Sequence, residues 1–91
     1  MEVNHINIQL LPQESPCNAR FDSPVYMTCG FQSEFGGLSP VIVQNTLHKI
    51  KNERVESDSG ADYLQVCTSN NIRYWVIDSE SYVTFLLPHE Y

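Results

Sequence analysis

The sequence predicts an α+β fold: a mostly antiparallel sheet, with elements in the order β-β-α-β-β-β and one amphipathic helix packed on one face. The last third of the chain, Asp62–Leu87, contains three short segments rich in aromatic and β-branched residues, separated by polar turns. Upstream, Val43, Leu47 and Ile50 recur at steps of four and three, which places them on one side of a helix. Packing this helix on the sheet buries both apolar surfaces, and the other sheet face is then either solvated or an interface.

Three strands are predicted in the C-terminal region, in an antiparallel meander. They span Asp62–Cys67, Ile72–Ile77 and Tyr82–Leu87. Asn70-Asn71 separates the first two, and asparagine tolerates the positive φ that tight hairpin turns require. The polar residues 78–81 form the second predicted turn.

Two further strands are predicted before the helix. Val3–Leu11 alternates apolar and polar residues, as a half-buried strand does, and Pro12 ends it. Val25–Cys29 is the second strand, and Gly30 closes it. The proline-containing residues 12–24 between them are predicted to be an irregular connection.

The helix is predicted to run from about Pro40 to Asn52 or Arg54. Ser39 is suited to cap its N-terminus, and proline is favourable at the first helical position because its missing N–H has no partner there. Residues 30–38, which precede the helix and contain three of the four glycines, are predicted to be a flexible loop.

The composition limits the classes of partner. The 91 residues fit one domain, and 5 basic against 11 acidic residues give a formal net charge of -6. Direct nucleic-acid binding is not expected, because phosphate contacts need clustered Lys and Arg. A basic protein surface would be attracted to this charge, although the charge also serves solubility alone. We expect a cytoplasmic protein without a membrane partner, because the N-terminus does not resemble a signal peptide and no apolar run approaches the ~20 residues that span a bilayer.

No catalytic, metal or cofactor site is expected. The cysteines lack a Cys-x-x-Cys pair, and the thiols are expected to be free and mostly buried, with Cys17 in a loop as the exception. The histidines lack the i, i+4 helical spacing of a metal site, and no EF-hand pattern is present. The residues considered as nucleophiles or ligands are Cys17, Cys29, Cys67, His5, His48 and His89.

Two kinds of residue are predicted to contact a partner protein. Acidic residues at the polar turn that leads into the meander, residues 55–61, and at the turn 78–81 would imitate phosphates in a basic groove, and two phenylalanines at a loop tip would act as anchors. The structural alternatives are a solvated acidic turn and phenylalanines that fold back under the helix. The predicted partner-binding residues are Phe31, Phe35, Glu53, Glu56, Asp58, Asp62, Asp78 and Glu80.

Val25–Gly30, the helix that follows and Asp62–Val66 together resemble a family of short uncharacterised proteins from Gram-positive bacteria and their phages and plasmids. The resembling motifs are Tyr-x-Thr-x-Gly and Asp-Tyr-Leu-Gln-Val. The chain departs from the family at Cys29, where the family has Arg, and at Cys67, where it has an aromatic residue; residues 1–22 look like an N-terminal strand-and-loop addition. The resemblance implies a small α+β fold and a mobile-element context, and it transfers no catalytic residue.

The sequence therefore predicts a small non-enzymatic module that binds a host protein. Its expected role is that of a phage or mobile-element accessory protein that inhibits the host protein, with a nucleic-acid-binding defence enzyme as one such target. The alternative is a structural, self-assembling module without an inhibitory role. A homodimer is expected, because an open sheet leaves two edges with unpaired backbone groups.

Overall fold

Residues 6–91 are described by a computed structural model, in which five strands form one sheet and a run of helical segments packs across it. The strands are β1 (Ile8–Leu10), β2 (Val25–Met27), β3 (Leu64–Ser69), β4 (Ile72–Asp78) and β5 (Val83–Leu86). The helices are α1 (Cys29–Phe35) and α2 (Ser39–Ile50), joined by a 3-10 turn, Gly36–Leu38; a π-helical turn, Lys51–Val55, extends α2, and a 3-10 turn, Pro88–Glu90, follows β5. The α+β class is confirmed. Residues 3–5 of the first predicted strand lie outside the described residues.

The described sheet is mixed rather than purely antiparallel: three of its four strand pairings are antiparallel, which agrees with the mostly antiparallel arrangement expected from the sequence, and one is parallel. Its spatial order is β1-β3-β4-β5-β2, which differs from the order along the chain. The meander β3-β4-β5 is antiparallel, and β1 joins it antiparallel to β3. At the opposite edge β2 runs parallel to β5. Parallel neighbours need a long crossover, and here the helical run and the first two meander strands supply it.

The hairpin between β3 and β4 turns where the sequence predicted. Asn70 and Asn71 both have positive φ, of 54° and 66°, which is the conformation that two-residue hairpin loops require. Ser69 and Ile72 pair directly across this turn. Asparagine reaches this backbone region more easily than most residues, so this hairpin follows from local sequence.

Residues 30–38 do not form the predicted flexible loop, because α1 occupies most of them. The Thr28 hydroxyl accepts a hydrogen bond from the Phe31 N–H at 3.2 Å and so caps this helix. Phe31 and Phe35 lie one helical turn apart and both are buried. Gly36, with φ of 56°, ends α1, and the chain then passes through one 3-10 turn into α2.

α2 confirms the predicted helix, although its first residue differs in role. Ser39 has helical dihedral angles and is buried, and its hydroxyl donates to the Gly36 carbonyl at 2.8 Å. It is therefore not an N-cap, because the preceding turn already continues the helical path. Val43 and Ile50 are buried as the periodicity predicted, and Leu47 packs against the core at partial burial.

The core lies between the helical run and one face of the sheet. The ring of Phe31 is central to it, with ring centroids 4.9 Å from Phe35 and 5.4 Å from both Tyr74 and Phe85. Tyr74 also shares a buried hydrogen bond with Thr46 of α2. Burial raises the pKa of the Tyr74 phenol, so this group stays a neutral hydroxyl. The aromatic cluster thus joins α1, α2 and the meander.

Candidate protein-binding surfaces

The sheet face opposite the helices is largely apolar. Side chains alternate along a strand, and Tyr74, Val76 and Phe85 are fully buried on the helix side, so the residues between them point to the other side. We call this other side the open face. Its positions, from the pairing register, are Gln9, Tyr26, Leu64, Val66, Thr68, Arg73, Trp75, Ile77, Thr84 and Leu86.

The open face contains no carboxylate, although the chain carries a net charge of -6. Its one charged side chain is Arg73, which pairs across the strands with Thr68. Charged groups are costly to remove from water unless they find a partner. Covering the open face with another apolar surface therefore desolvates no acidic group.

Aromatic side chains surround the open face. Tyr26 is 58% exposed, and its ring meets that of Tyr82 edge to face at a centroid distance of 5.5 Å. Trp75 is half-buried and its ring lies 5.3 Å from that of Tyr91. Tyrosine and tryptophan are enriched in the centres of protein interfaces. The open face therefore has the composition of a contact surface.

Phe31 and Phe35 are not part of any exposed surface. Their side chains are 0% and 6% exposed and pack inside the aromatic cluster. Their interpretation as loop-tip anchors is wrong, and the alternative, that they fold back under the helix, is what the structure shows. The physical reason is the i, i+4 spacing, which puts both rings on one side of a helix that the Thr28 cap begins.

Asp78 was predicted to be a surface acid, but it is 9% exposed and holds two chain segments together. Its Oδ2 accepts from the backbone N–H of Phe21 at 2.9 Å and of Arg20 at 3.2 Å. Its Oδ1 accepts from the N–H of Glu80 at 2.9 Å. Both oxygens of the carboxylate are therefore occupied by backbone N–H groups, so Asp78 is unsuited to imitate a phosphate for a partner.

Asp62 has the same kind of structural role at the start of β3, and it too is not a surface acid. It is 5% exposed, and its carboxylate accepts from the N–H of Ser15 at 2.9 Å and of Leu64 at 3.3 Å. Beside it, the amide of Gln65 donates to Gln13 and accepts from Arg54. This network fixes the connection between β1 and β2 to the sheet, which explains the Asp and Gln of the Asp-Tyr-Leu-Gln-Val motif in structural terms.

The other predicted acids are exposed. Glu56, Asp58 and Glu80 face solvent, whereas Glu53 forms a 2.8 Å ion pair with Lys49 one helical turn earlier. The turn that precedes β3 and the turn that follows β4 lie at the same end of the sheet. The N–H of Asp78 donates a hydrogen bond to the carbonyl of Tyr63, the residue after Asp62. The acidic surface is thus smaller than the sequence predicted.

A groove of about 750 Å³ lies at this same end of the sheet. Residues 17–20, 22 and 23 form one wall, and residues 78–80 and Tyr63, which is 54% exposed, form the rest. Asp22 on its rim lies 3.2 Å from Lys51, and this hydrogen bond lowers the pKa of Asp22. Both Asp22 and Asp78 are therefore already paired within the chain.

The cysteines differ in environment. Burial raises the pKa of Cys67 to about 12, so its thiol is protonated at neutral pH and is a poor nucleophile. Cys17 is exposed, as expected. Cys29, predicted to be buried in a strand, is exposed because it begins α1 instead.

Histidine and acidic residues do not converge on a shared centre in the part of the chain that the structure describes. Among residues 6–91, no group of three or more His, Cys, Asp or Glu side chains is placed to hold a metal ion. His48 bonds to Asn52 on the helix surface, and His89 lies in the last 3-10 turn. His5 lies outside the described residues.

Comparison with known proteins finds no family model, curated protein or solved structure that matches the chain. The resemblance to a family of short proteins from Gram-positive bacteria and their phages therefore stays a prediction. None of the helices in residues 6–91 combines the length and apolar character needed to cross a bilayer.

Proposed function

We propose that this chain is a small protein-binding module that docks on its partner through the open face. The main support for this proposal is that the open face is apolar and free of carboxylates in a chain whose net charge is -6. Trp75 and Ile77 on this face are only half-buried, so a partner that covers them removes apolar area from water at about 25 cal/mol per Å². A central tryptophan is also the residue type that contributes most to interface energies.

The finer proposal is an accessory protein of a phage or similar element that inhibits a host protein. The resemblance described above supports the mobile-element context. The exposed acids Glu56, Asp58 and Glu80 support a basic partner, because complementary charge raises the association rate. A nucleic-acid-binding defence enzyme has such a basic surface. In this proposal the acids steer the encounter and the open face supplies the contact.

The decisive experiment compares two tyrosines in affinity capture from host lysate with mass spectrometry. Tyr26 on the open face and Tyr63 at the groove are 58% and 54% exposed, so Tyr26→Lys and Tyr63→Lys disturb folding to a similar small degree. We expect Tyr26→Lys to lose the proteins that the wild type captures and Tyr63→Lys to retain them. Loss with Tyr63→Lys alone would move the interface to the groove, and retention with both would refute the open-face proposal.

Salt dependence tests the role of the acids separately. With a purified partner, the association rate should fall as salt rises, since exposed charges are screened beyond about 8 Å at physiological ionic strength. The double variant Glu56→Gln with Asp58→Asn should weaken this dependence, while Tyr26→Lys should mainly speed dissociation. A salt-independent association rate would remove the steering role and leave the open-face contact in place.

Self-association is the second candidate function, and the sheet edges favour it. β1 and β2 are edge strands of three residues each, and edge strands expose backbone groups that can pair with another chain. In this case the open face or an edge would meet a second copy, giving a homodimer. Light scattering at micromolar concentration decides it: a mass near 10.4 kDa would exclude the dimer.

A further inference from the structure

The residues after β5 return across the sheet to the open face. Leu87 is 8% exposed and belongs to the core, so it holds the start of this segment firmly. The 3-10 turn Pro88–Glu90 then contacts β4. The ring of Tyr91 reaches Trp75 at 5.3 Å, although Tyr91 itself stays 79% exposed. A weakly buried side chain thus lies on the largest side chain of the proposed contact surface.

The Glu90 carboxylate ties this segment to the N-terminal end of α1. It accepts hydrogen bonds from the Thr28 hydroxyl, from the Gly30 N–H at 3.0 Å and from the Leu87 N–H at 2.8 Å. The first N–H groups of a helix have no partner within the helix, and they favour a negative charge. Beyond the buried Leu87, these bonds of the Glu90 carboxylate fasten the segment to α1.

We propose that residues 87–91 form a displaceable latch: Glu90 fastens it, the Tyr91 ring packs on Trp75 of the open face, and a partner that binds this face displaces Tyr91. The proposal rests on the proposed function, because it concerns the regulation of the same surface. Leu87 is the fixed point and residues 88–91 are the part that moves. The latch and the partner compete for the same ring.

The competition has a thermodynamic consequence. A closed latch reduces the fraction of molecules that are competent to bind, and the apparent dissociation constant rises by the inverse of that fraction. Because Tyr91 buries little of its own surface, its displacement costs little, and the latch modulates binding without abolishing it. Shortening Tyr91 should therefore improve partner binding.

Trp75 itself reports the latch, since it is the only tryptophan in the chain. We would measure acrylamide quenching of its fluorescence in the wild type, Tyr91→Ala and Glu90→Gln. Loss of the Tyr91 ring should raise the quenching constant about twofold in Tyr91→Ala. Glu90→Gln keeps the ring but weakens the bonds that fasten the segment, so it should raise the constant less. The matched control is Glu34→Gln, an exposed glutamate in α1 that should leave quenching unchanged.

The fluorescence and binding measurements each have a result that would overturn the latch. Unchanged quenching in Tyr91→Ala would overturn the latch, and this variant should fold normally because the side chain is 79% exposed. Thermal melts followed by circular dichroism show whether Glu90→Gln is folded; if it is not, Tyr91→Ala decides alone. With a purified partner, Tyr91→Ala should bind several-fold more tightly, and weaker binding would make Tyr91 part of the interface and refute the competition. Quenching needs no partner, so it stands or falls independently of the capture experiment.

Discussion

The two faces of the sheet carry similar apolar side chains, but they differ in how far those side chains are buried. Along β4, Tyr74 and Val76 are fully buried beneath the helices, whereas Trp75 and Ile77, which alternate with them, are only half-buried. A solvated face of an antiparallel sheet is usually polar. The apolar residues of the open face are therefore more than this fold needs for its own core, and an external contact would account for them.

The faces also differ in how they treat polar groups. On the helix side, the Tyr74 phenol has a buried partner in Thr46, and the Gln65 amide bonds to Gln13 and Arg54. Unsatisfied polar groups would be costly there. On the open face, Thr68 and Thr84 are partly exposed and can bond to water. The helix side therefore behaves as an interior, in which the Ser69 hydroxyl is a buried group without a partner among the described residues, and the open face behaves as a surface.

The largest difference between the faces should appear on truncation of a ring. Phe31→Ala removes a fully buried ring from the aromatic cluster and should cost about 3–5 kcal/mol in the free energy of unfolding. Tyr26→Ala on the open face should cost less than about 1 kcal/mol, because that ring is already 58% exposed. Urea unfolding measures both. Equal losses would mean that the open face contributes to the core as much as the helix side does.

Removal of a buried carboxylate should have the next largest effect. Asp78→Ala leaves the N–H groups of Phe21, Arg20 and Glu80 without their acceptor and should cost roughly 2 kcal/mol or more. The exposed Asp58→Ala should change stability by no more than about 0.5 kcal/mol. Chemical denaturation compares the two, and a small loss for Asp78→Ala would mean that water replaces its bonds readily.

The hydrogen-bonded pair Thr46 and Tyr74 on the helix side should give a smaller loss of stability, which a second substitution should partly restore. Thr46→Val leaves the Tyr74 hydroxyl buried without its partner and should cost about 1–2 kcal/mol. Adding Tyr74→Phe removes the orphaned hydroxyl, so the double variant should recover part of that loss. A double-mutant cycle by urea unfolding tests this. Strictly additive losses would show that the two hydroxyls are not coupled.

The smallest expected effect is a pH dependence at the edge of the open face. Hydrogen bonds to Glu90, with that from the Thr28 hydroxyl foremost, lower its pKa below the ordinary value of 4.5. Its contribution to stability is therefore present above pH 4.5 and is lost as pH falls through the lowered pKa. The difference in melting temperature between the wild type and Glu90→Gln should shrink below that pH.

Asp22→Asn is the control for this titration. The hydrogen bond from Lys51 foremost lowers the pKa of Asp22, so this group also loses its contribution to stability in acid. Asp22 lies at the groove, away from Trp75. Acid should therefore raise the acrylamide quenching of Trp75 in the wild type and in Asp22→Asn alike, and it should do so less in Glu90→Gln. If acid raised the quenching of Trp75 equally in all three proteins, protonation of Glu90 would not be the cause of the rise.

The elements with strong local signals were predictable from the sequence. The aromatic and β-branched strands β3 and β4, the Asn70-Asn71 turn and the stripe of Val43 and Ile50 all appear in the structure close to their expected places. Each depends on neighbours within a few residues, so tertiary packing had little opportunity to override it.

The sequence predicts a loop where α1 forms, although it also contains signals for a helix there. Thr28 as a cap and the i, i+4 spacing of Phe31 and Phe35 predict a helix by the rules that located α2. Gly36 and Gly37, which follow closely, favour a loop instead. The glycines serve only the junction, where Gly36 adopts a positive φ.

The remaining features depend on contacts distant along the chain. Asp62 bonds to Ser15 47 residues away and Asp78 to Phe21 57 residues away, so the composition around each acid does not distinguish it from a solvated residue such as Asp58. The parallel pairing of β2 with β5 is equally non-local. The open face could be inferred from the position of Trp75 next to Tyr74, but only once the helices were known to cover the Tyr74 side.

The spatial order β1-β3-β4-β5-β2 also determines when the sheet can assemble during translation. Both edge strands precede the helices in the chain, yet each needs a partner from the meander, which the ribosome makes after the helices. Before then α1 and α2 can form from local contacts, but β1 and β2 have no ladder to join. Non-local pairing of this kind slows folding and leaves strand segments exposed meanwhile. Nascent chains that stall before β5 should therefore depend on chaperones more than chains in which β5 has been made.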